Sequence, residues 1–222
     1  MQPYYQDDWV TIYHGDCREI LPHLPKVDLV LTDPPYGIGF NYGTGYKDNP
    51  KGYQDFIWPI IELAEKKATR VAIFQAAKNL RFCGEWFPRD WRPIAIGKSF
   101  GQWQHQIALQ YCTDYILFWG NLSPSKKMYP PRDWFYSNEC SRTANKRRPP
   151  HPCPRPIDSM LYLVGILSNE NEIILDPFLG SGTTCVAAKQ LNRKSIGIEI
   201  EEKYCEIAAQ RCSQEVLNLV EV

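Results

Sequence analysis

No Cys-x-x-Cys pair occurs among the eight cysteines (17, 83, 112, 140, 153, 185, 205 and 212), and histidine is scarce, at four residues. The paired-thiol spacing of zinc ribbons and redox motifs is therefore absent. The nearest metal-like grouping, Cys140, His151 and Cys153, fits neither a ribbon nor a finger, so no metal is expected. Net charge is missing too: 25 basic residues balance 25 acidic ones, and only a local patch could recruit an anionic partner. There is no apolar run long enough to span a bilayer and no secretory signal, which predicts a cytoplasmic protein with free thiols and no membrane partner.

What is present suits a sizeable core: 222 residues, 44% of them hydrophobic, enough for one large domain or a domain with an insert. Short β-branched runs alternate with helical stretches, the pattern of a mostly parallel sheet covered by helices. Seven strands are predicted: Val10 to Tyr13, Asp28 to Thr32, Arg70 to Phe74, Pro93 to Gly97, Asp114 to Trp119, Glu172 to Leu175 and Ser195 to Glu199. Apolar residues at helical spacing mark Ile157, Met160, Leu161 and Val164, then Tyr204, Ile207 and Ala208. The expected fold is α/β, doubly wound and Rossmann-like. Residues 1–120 form its first half and 151–222 its second, with 121–150 an insert between them. The proline-rich stretch 121–156 shows no periodicity and reads as a loop or small subdomain.

Two strand ends carry chemistry. Glu172-Ile-Ile-Leu-Asp176 runs into Pro-Phe178-Leu-Gly180-Ser181-Gly182-Thr183 and then a helix through Leu191. Glycines there admit a ligand to the backbone, and the helix N-terminus offers N–H groups to an anion. One strand later Glu199 ends Lys194-Ser-Ile-Gly-Ile, where a carboxylate can accept from a ribose diol. Together they imply a nucleoside-containing cofactor. A dinucleotide dehydrogenase is disfavoured because Cys185 stands where the third glycine or alanine of that fingerprint belongs. The other strand end is Leu31-Thr-Asp33-Pro34-Pro35-Tyr36-Gly-Ile-Gly39. Alone, it reads as a strand followed by a proline turn.

Taken together, Asp33-Pro34-Pro35-Tyr36 and Phe178-Leu179-Gly180-Ser181-Gly182 resemble the paired motifs of S-adenosylmethionine-dependent DNA amino-methyltransferases. The catalytic motif precedes the cofactor motif, an order similar to the beta class of that family. The resemblance implies a permuted methyltransferase sheet, S-adenosyl-L-methionine as cofactor, and methylation of an exocyclic amino group in DNA. Adenine N6 is favoured because Asp33 opens the tetrapeptide. Cytosine N4, or a non-catalytic DNA-binding subunit, are the alternatives. By the same resemblance Asp16 and Cys17 meet the cofactor adenine, and Arg155 meets its methionine carboxylate. Asp33, Asp176, Phe178, Gly180, Ser181, Gly182, Thr183 and Glu199 complete that site. Arg155 ends His151-Pro-Cys-Pro-Arg155-Pro, where the family usually writes Lys-Pro. Thr113 to Trp119 resembles the strand beside the base pocket.

Charge in the insert is uneven: between 121 and 156, Lys126, Lys127, Arg132, Arg142, Lys146, Arg147, Arg148 and Arg155 face only Asp133 and Glu139. With Tyr129, Trp134 and Tyr136 interleaved, such a patch suits the phosphates of double-stranded DNA. A solvated loop is the plainer reading. The resemblance further implies a homodimer and a partner restriction endonuclease.

Overall fold

The computed structural model describes residues 1–39, 48, 52–87, 90–104, 109–122, 131–138 and 154–214. In chain order the strands are β1 (Tyr5–Gln6), β2 (Val10–His14), β3 (Val27–Thr32), β4 (Ala68–Gln75), β5 (Arg92–Gln104), β6 (Leu109–Gly120), β7 (Trp134–Ser137), β8 (Ile173–Asp176) and β9 (Lys194–Glu199). The helices are α1 (Cys17–Ile20), α2 (Tyr53–Glu65), α3 (Cys83–Trp86), α4 (Ile157–Leu167), α5 (Thr183–Gln190) and α6 (Glu202–Cys212).

The strands form one sheet in the order β1-β2-β9-β8-β3-β4-β6-β5-β7. From β2 to β4 every pairing is parallel. β6 is antiparallel to both of its neighbours, so its first residues lie at the edge where β3 and β4 end. Period-two alternation divides each strand between two cores. Val71 and Ile73 of β4, with Leu117 and Trp119 of β6, join α2 in one cluster. Ala72, Phe74, Ile116 and Phe118 join α4 and α5 in the other. The buried Arg70 ties these layers, donating to the carbonyls of Leu167 (2.9 Å) and Asp28 (3.2 Å) while pairing with Glu172 at 2.8 Å.

All seven predicted strands are present, with two corrections. The count is nine among the described residues, because β1 and β7 also join the sheet. Strand β7 lies in the stretch read as irregular. Its Trp-Phe-Tyr-Ser sequence has strong β propensity, and it pairs parallel to β5 at the sheet edge. Being an edge strand, it leaves Trp134 and Tyr136 exposed, while Phe135 turns inward and stacks on Tyr162 at 4.6 Å. The strands predicted at 93–97 and 114–119 also run longer, to Gln104 and from Leu109.

Candidate active site

Strands β3 and β8 are hydrogen-bonded neighbours although 144 residues separate Thr32 from Asp176. Each is followed by one of the two motifs, so the crevice beyond their carboxyl ends is shared by both. That is where ligands bind in open α/β sheets.

The glycine turn is built around Asp176. Its carboxylate is buried and accepts from Thr32 Oγ1 (2.7 Å), Thr184 Oγ1 (2.6 Å) and the Phe178 N–H (3.1 Å). These bonds join β3, β8 and α5. Gly180 and Gly182 adopt φ of +54° and +82°, and a Cβ on Gly182 would lie 2.8 Å from Ala208 Cβ. Glycine is thus required by both conformation and space. Arg211 braces the turn from α6, donating to Ser181 Oγ and Thr183 Oγ1 (both 3.1 Å) and to the Ser181 carbonyl. Phe178 leans on Phe56 across 6.2 Å.

Burial pushes Asp176 up to about 6 against its three donors. A carboxyl whose folded pKa is raised stabilises the fold fully below its unfolded value, and that contribution is lost as pH rises through the folded pKa. Asp176→Asn should therefore gain stability relative to the parent between about pH 4 and about pH 7, on the order of 3 kcal/mol. Urea unfolding across that range measures the change; a difference independent of pH would contradict it.

Glu199 ends β9, next to β8, and is 9% exposed. Its carboxylate accepts from the Gly180 N–H (2.8 Å) and the Glu201 N–H (2.9 Å). Burial raises its pKa, while those two donors oppose the shift. Beside it, His14 of β2 is in register with Glu199, and the Gly15 N–H bonds the Glu199 carbonyl at 2.9 Å. The next residue, Asp16, caps α1 through the Arg18 N–H (2.9 Å) and pairs with the Arg18 guanidinium. Cys17 is buried in the α2-side core, and burial pushes its thiol up to about 12. It packs as part of that core.

The other motif converges on a charged cluster. Arg155, just before α4, holds Asp33 through Nε (2.5 Å) and Nη2 (2.8 Å). The Tyr36 hydroxyl donates to the same Asp33 and also meets Arg155. Arg155 Nη1 pairs with Asp114 at 2.9 Å, Lys98 Nζ holds Asp114 at 2.7 Å, and the Phe74 ring lies 4.5 Å from the guanidinium. Burial alone would lower the Arg155 pKa, but Asp33, Tyr36 and Asp114 raise it well above the ordinary value. Burial raises Asp114, yet Arg155 and Lys98 outweigh it and leave its pKa lowered. Burial also lifts the Tyr36 phenol well above its usual range.

The turn after the motif is fixed independently. Asp48 accepts from the N–H groups of Gly37 (2.7 Å) and Ile38 (2.8 Å), and Asn79 donates to the Tyr36 carbonyl at 2.8 Å. Gly37 has φ of +64°, and a Cβ there would sit 2.6 Å from Tyr53 Cβ.

Asp33, Tyr36 and Arg155 thus come together, as do Asp176, Phe178, Gly180, Ser181, Gly182, Thr183 and Glu199. Asp114, Lys98, Asp48, Asn79 and Arg211 were not singled out from sequence. A carboxylate opening an otherwise apolar strand was the available signal for Asp114. Of the basic patch, the structure describes Arg132, which is exposed, and Arg155, which is held in the cluster with Asp33 and Asp114 rather than on a DNA-facing surface. Lys126, Lys127, Arg142, Lys146, Arg147 and Arg148 lie outside the described residues, as do Tyr129, His151 and the cysteines at 140 and 153. Among the described residues no group of acidic, histidine or cysteine side chains could hold a metal, and no helix is long and apolar enough to cross a membrane.

A doubly wound sheet with a glycine turn, an acid at the next strand end and Asp-Pro-Pro-Tyr across the crevice is the arrangement of a Rossmann-like methyltransferase fold. The similarities agree. The DNA methylase model for N6 and N4 amino-methyltransferases matches residues 98–210. The Type II methyltransferase M2.LlaDCHI of Lactococcus lactis subsp. cremoris is 38% identical, over 96% of this chain and 93% of its own. Two solved structures share the fold. M1.HpyAVI in complex with SAM gives a TM-score of 0.67 at 24% identity, covering 92% of this chain and all of that one. The cytosine-N4-specific PvuII DNA methyltransferase gives 0.71 at 17% identity, covering 99% and 91%. The chain belongs to the DNA methylase family and is a DNA amino-methyltransferase.

Proposed function

We propose that the chain methylates the N6 amino group of an adenine turned out of double-stranded DNA, with S-adenosyl-L-methionine as donor. The observation that carries this reading is the pairing of β3 with β8, which sets Asp33 beside the glycine turn. The residues fit the donor. Gly180 and Gly182 hold the tight turn at φ of +54° and +82°, the buried Glu199 carboxylate suits a ribose diol, and Asp16 at the neighbouring strand end suits the adenine amino group. When bound, the donor supplies an electrophilic methyl group on a sulfonium.

The rest is the work of the chain. An exocyclic amine is a poor nucleophile because its lone pair is delocalised into the ring. Asp33 and the Pro34 carbonyl each accept one amine hydrogen, drawing the nitrogen toward tetrahedral geometry and aiming its lone pair into the crevice. Pro34 and Pro35 hold these acceptors still. The Asp33 charge favours the positive nitrogen that develops, which then releases a proton to solvent. Within a duplex that nitrogen is out of reach, so the base leaves the stack, and Tyr36 supplies an aromatic surface for it. Lys126, Lys127, Arg132, Arg142, Lys146, Arg147 and Arg148 bind DNA phosphates.

Adenine is favoured over cytosine N4 by Asp33 at the first tetrapeptide position. The fold shared with a cytosine-N4-specific enzyme at 17% identity carries no preference of base. The Type II designation of M2.LlaDCHI supports a partner restriction endonuclease. Incubation with methyl-labelled cofactor and duplex DNA should place label in the DNA; a protein that binds DNA without transferring label would be a non-catalytic subunit.

A further inference from the structure

We propose that Asp114 is a positioning residue that frees Asp33 for the target base by keeping hold of Arg155. The inference rests on the role given to Asp33 above. Both Asp33 oxygens are taken: Oδ2 by Arg155 Nε, and Oδ1 by Arg155 Nη2 and the Tyr36 hydroxyl. Oδ2 keeps one lone pair beyond its bond to Arg155, but an amine gains the full Asp33 charge only as part of this clamp opens. Arg155 is 14% exposed, and a guanidinium stripped of its carboxylate at such a site is costly.

Asp114 removes that cost. It sits on β6, whose reversed direction brings its first residues to the crevice. Its Oδ2 holds Arg155 Nη1 at 2.9 Å, a nitrogen not used on Asp33. Its Oδ1 is held in turn by Lys98 at 2.7 Å, so the carboxylate is anchored from behind. Phe74 supports the guanidinium face. Arg155 therefore has one fixed partner, Asp114, and one exchangeable partner, Asp33. When the neutral amine replaces the guanidinium on Asp33, Arg155 keeps a counter-charge and Asp33 keeps its own. With Asp114 neutral, Asp33 is the only carboxylate left to Arg155 within this cluster, and the clamp stays shut.

The test is single-turnover methyl transfer at saturating cofactor with DNA varied, beside calorimetry of S-adenosylmethionine binding. Asp114→Asn should transfer about tenfold more slowly or worse, with cofactor affinity within about twofold of the parent. Asp114→Glu, which keeps the charge, should retain most of the rate. A parental rate in Asp114→Asn, or a cofactor affinity that falls in step with the rate, overturns the proposal. Should Asp114→Asn not fold, Asp114→Glu decides: a folded variant as slow as Asp33→Ala overturns it. Asp33→Ala in the same assay separates the two claims. A parental rate there removes the role of Asp33 itself, whereas an inactive Asp33→Ala beside a parental Asp114→Asn removes only the role of Asp114.

Discussion

Asp33→Ala should lose about 10²- to 10³-fold in single-turnover methyl transfer at saturating cofactor and DNA, the loss typical when a group aimed at developing charge is removed. The acceptor matters most as the amine becomes tetrahedral, so the rate should fall while cofactor and DNA still bind. Asp33→Asn should be milder, because its carbonyl still accepts one hydrogen bond although the negative charge that favours the positive nitrogen is lost. The fold should survive both changes, since Arg155 keeps its pairing with Asp114; circular dichroism checks this. A well-folded Asp33→Ala enzyme working at the parental rate would return the segment to its plainer reading as a proline turn.

Gly182→Val should have the second large effect, this time on cofactor binding. At φ of +82° a β-branched residue is strained by about 1–3 kcal/mol, and the new Cβ would press on Ala208 at 2.8 Å from its Cβ and 3.0 Å from its Cα. Either the turn or α6 must move. Gly182 also bonds the Leu179 carbonyl and accepts from Val186 (both 3.0 Å), so displacement spreads to the start of α5. Calorimetry should show affinity for S-adenosylmethionine down by about tenfold or more. Unchanged affinity in a folded variant would place the donor elsewhere.

Much of the scaffold was legible because its signals are local. Val27 to Thr32 is an almost unbroken apolar run halted by an acid and two prolines, and the β8 turn announces itself by glycines that no other residue could replace. The adjacency of β3 and β8 followed from the rule for doubly wound sheets rather than from either segment alone. What escaped depends on tertiary direction. Asp114 reaches the crevice only because β6 runs backward, and nothing within Thr113 to Trp119 states its direction. Arg211 is a routine end-of-helix cation until α6 packs on the glycine turn. Four residues of β7 inside a proline-rich stretch are too few to register as a period. The motif resemblance pointed Arg155 at the cofactor, whereas its contacts in the structure are with Asp33, Asp114 and Tyr36.

The central claim is that the methyl group arrives on a base amino nitrogen held by Asp33. Duplex DNA incubated with the protein and S-adenosylmethionine, digested to nucleosides and resolved by mass spectrometry, tests it most directly. The account predicts N6-methyladenosine of the deoxy series, abundant with the parent protein and nearly absent with Asp33→Ala. N4-methylcytosine would overturn the choice of base, and a methyl group on ring carbon, or none at all, would contradict the account itself.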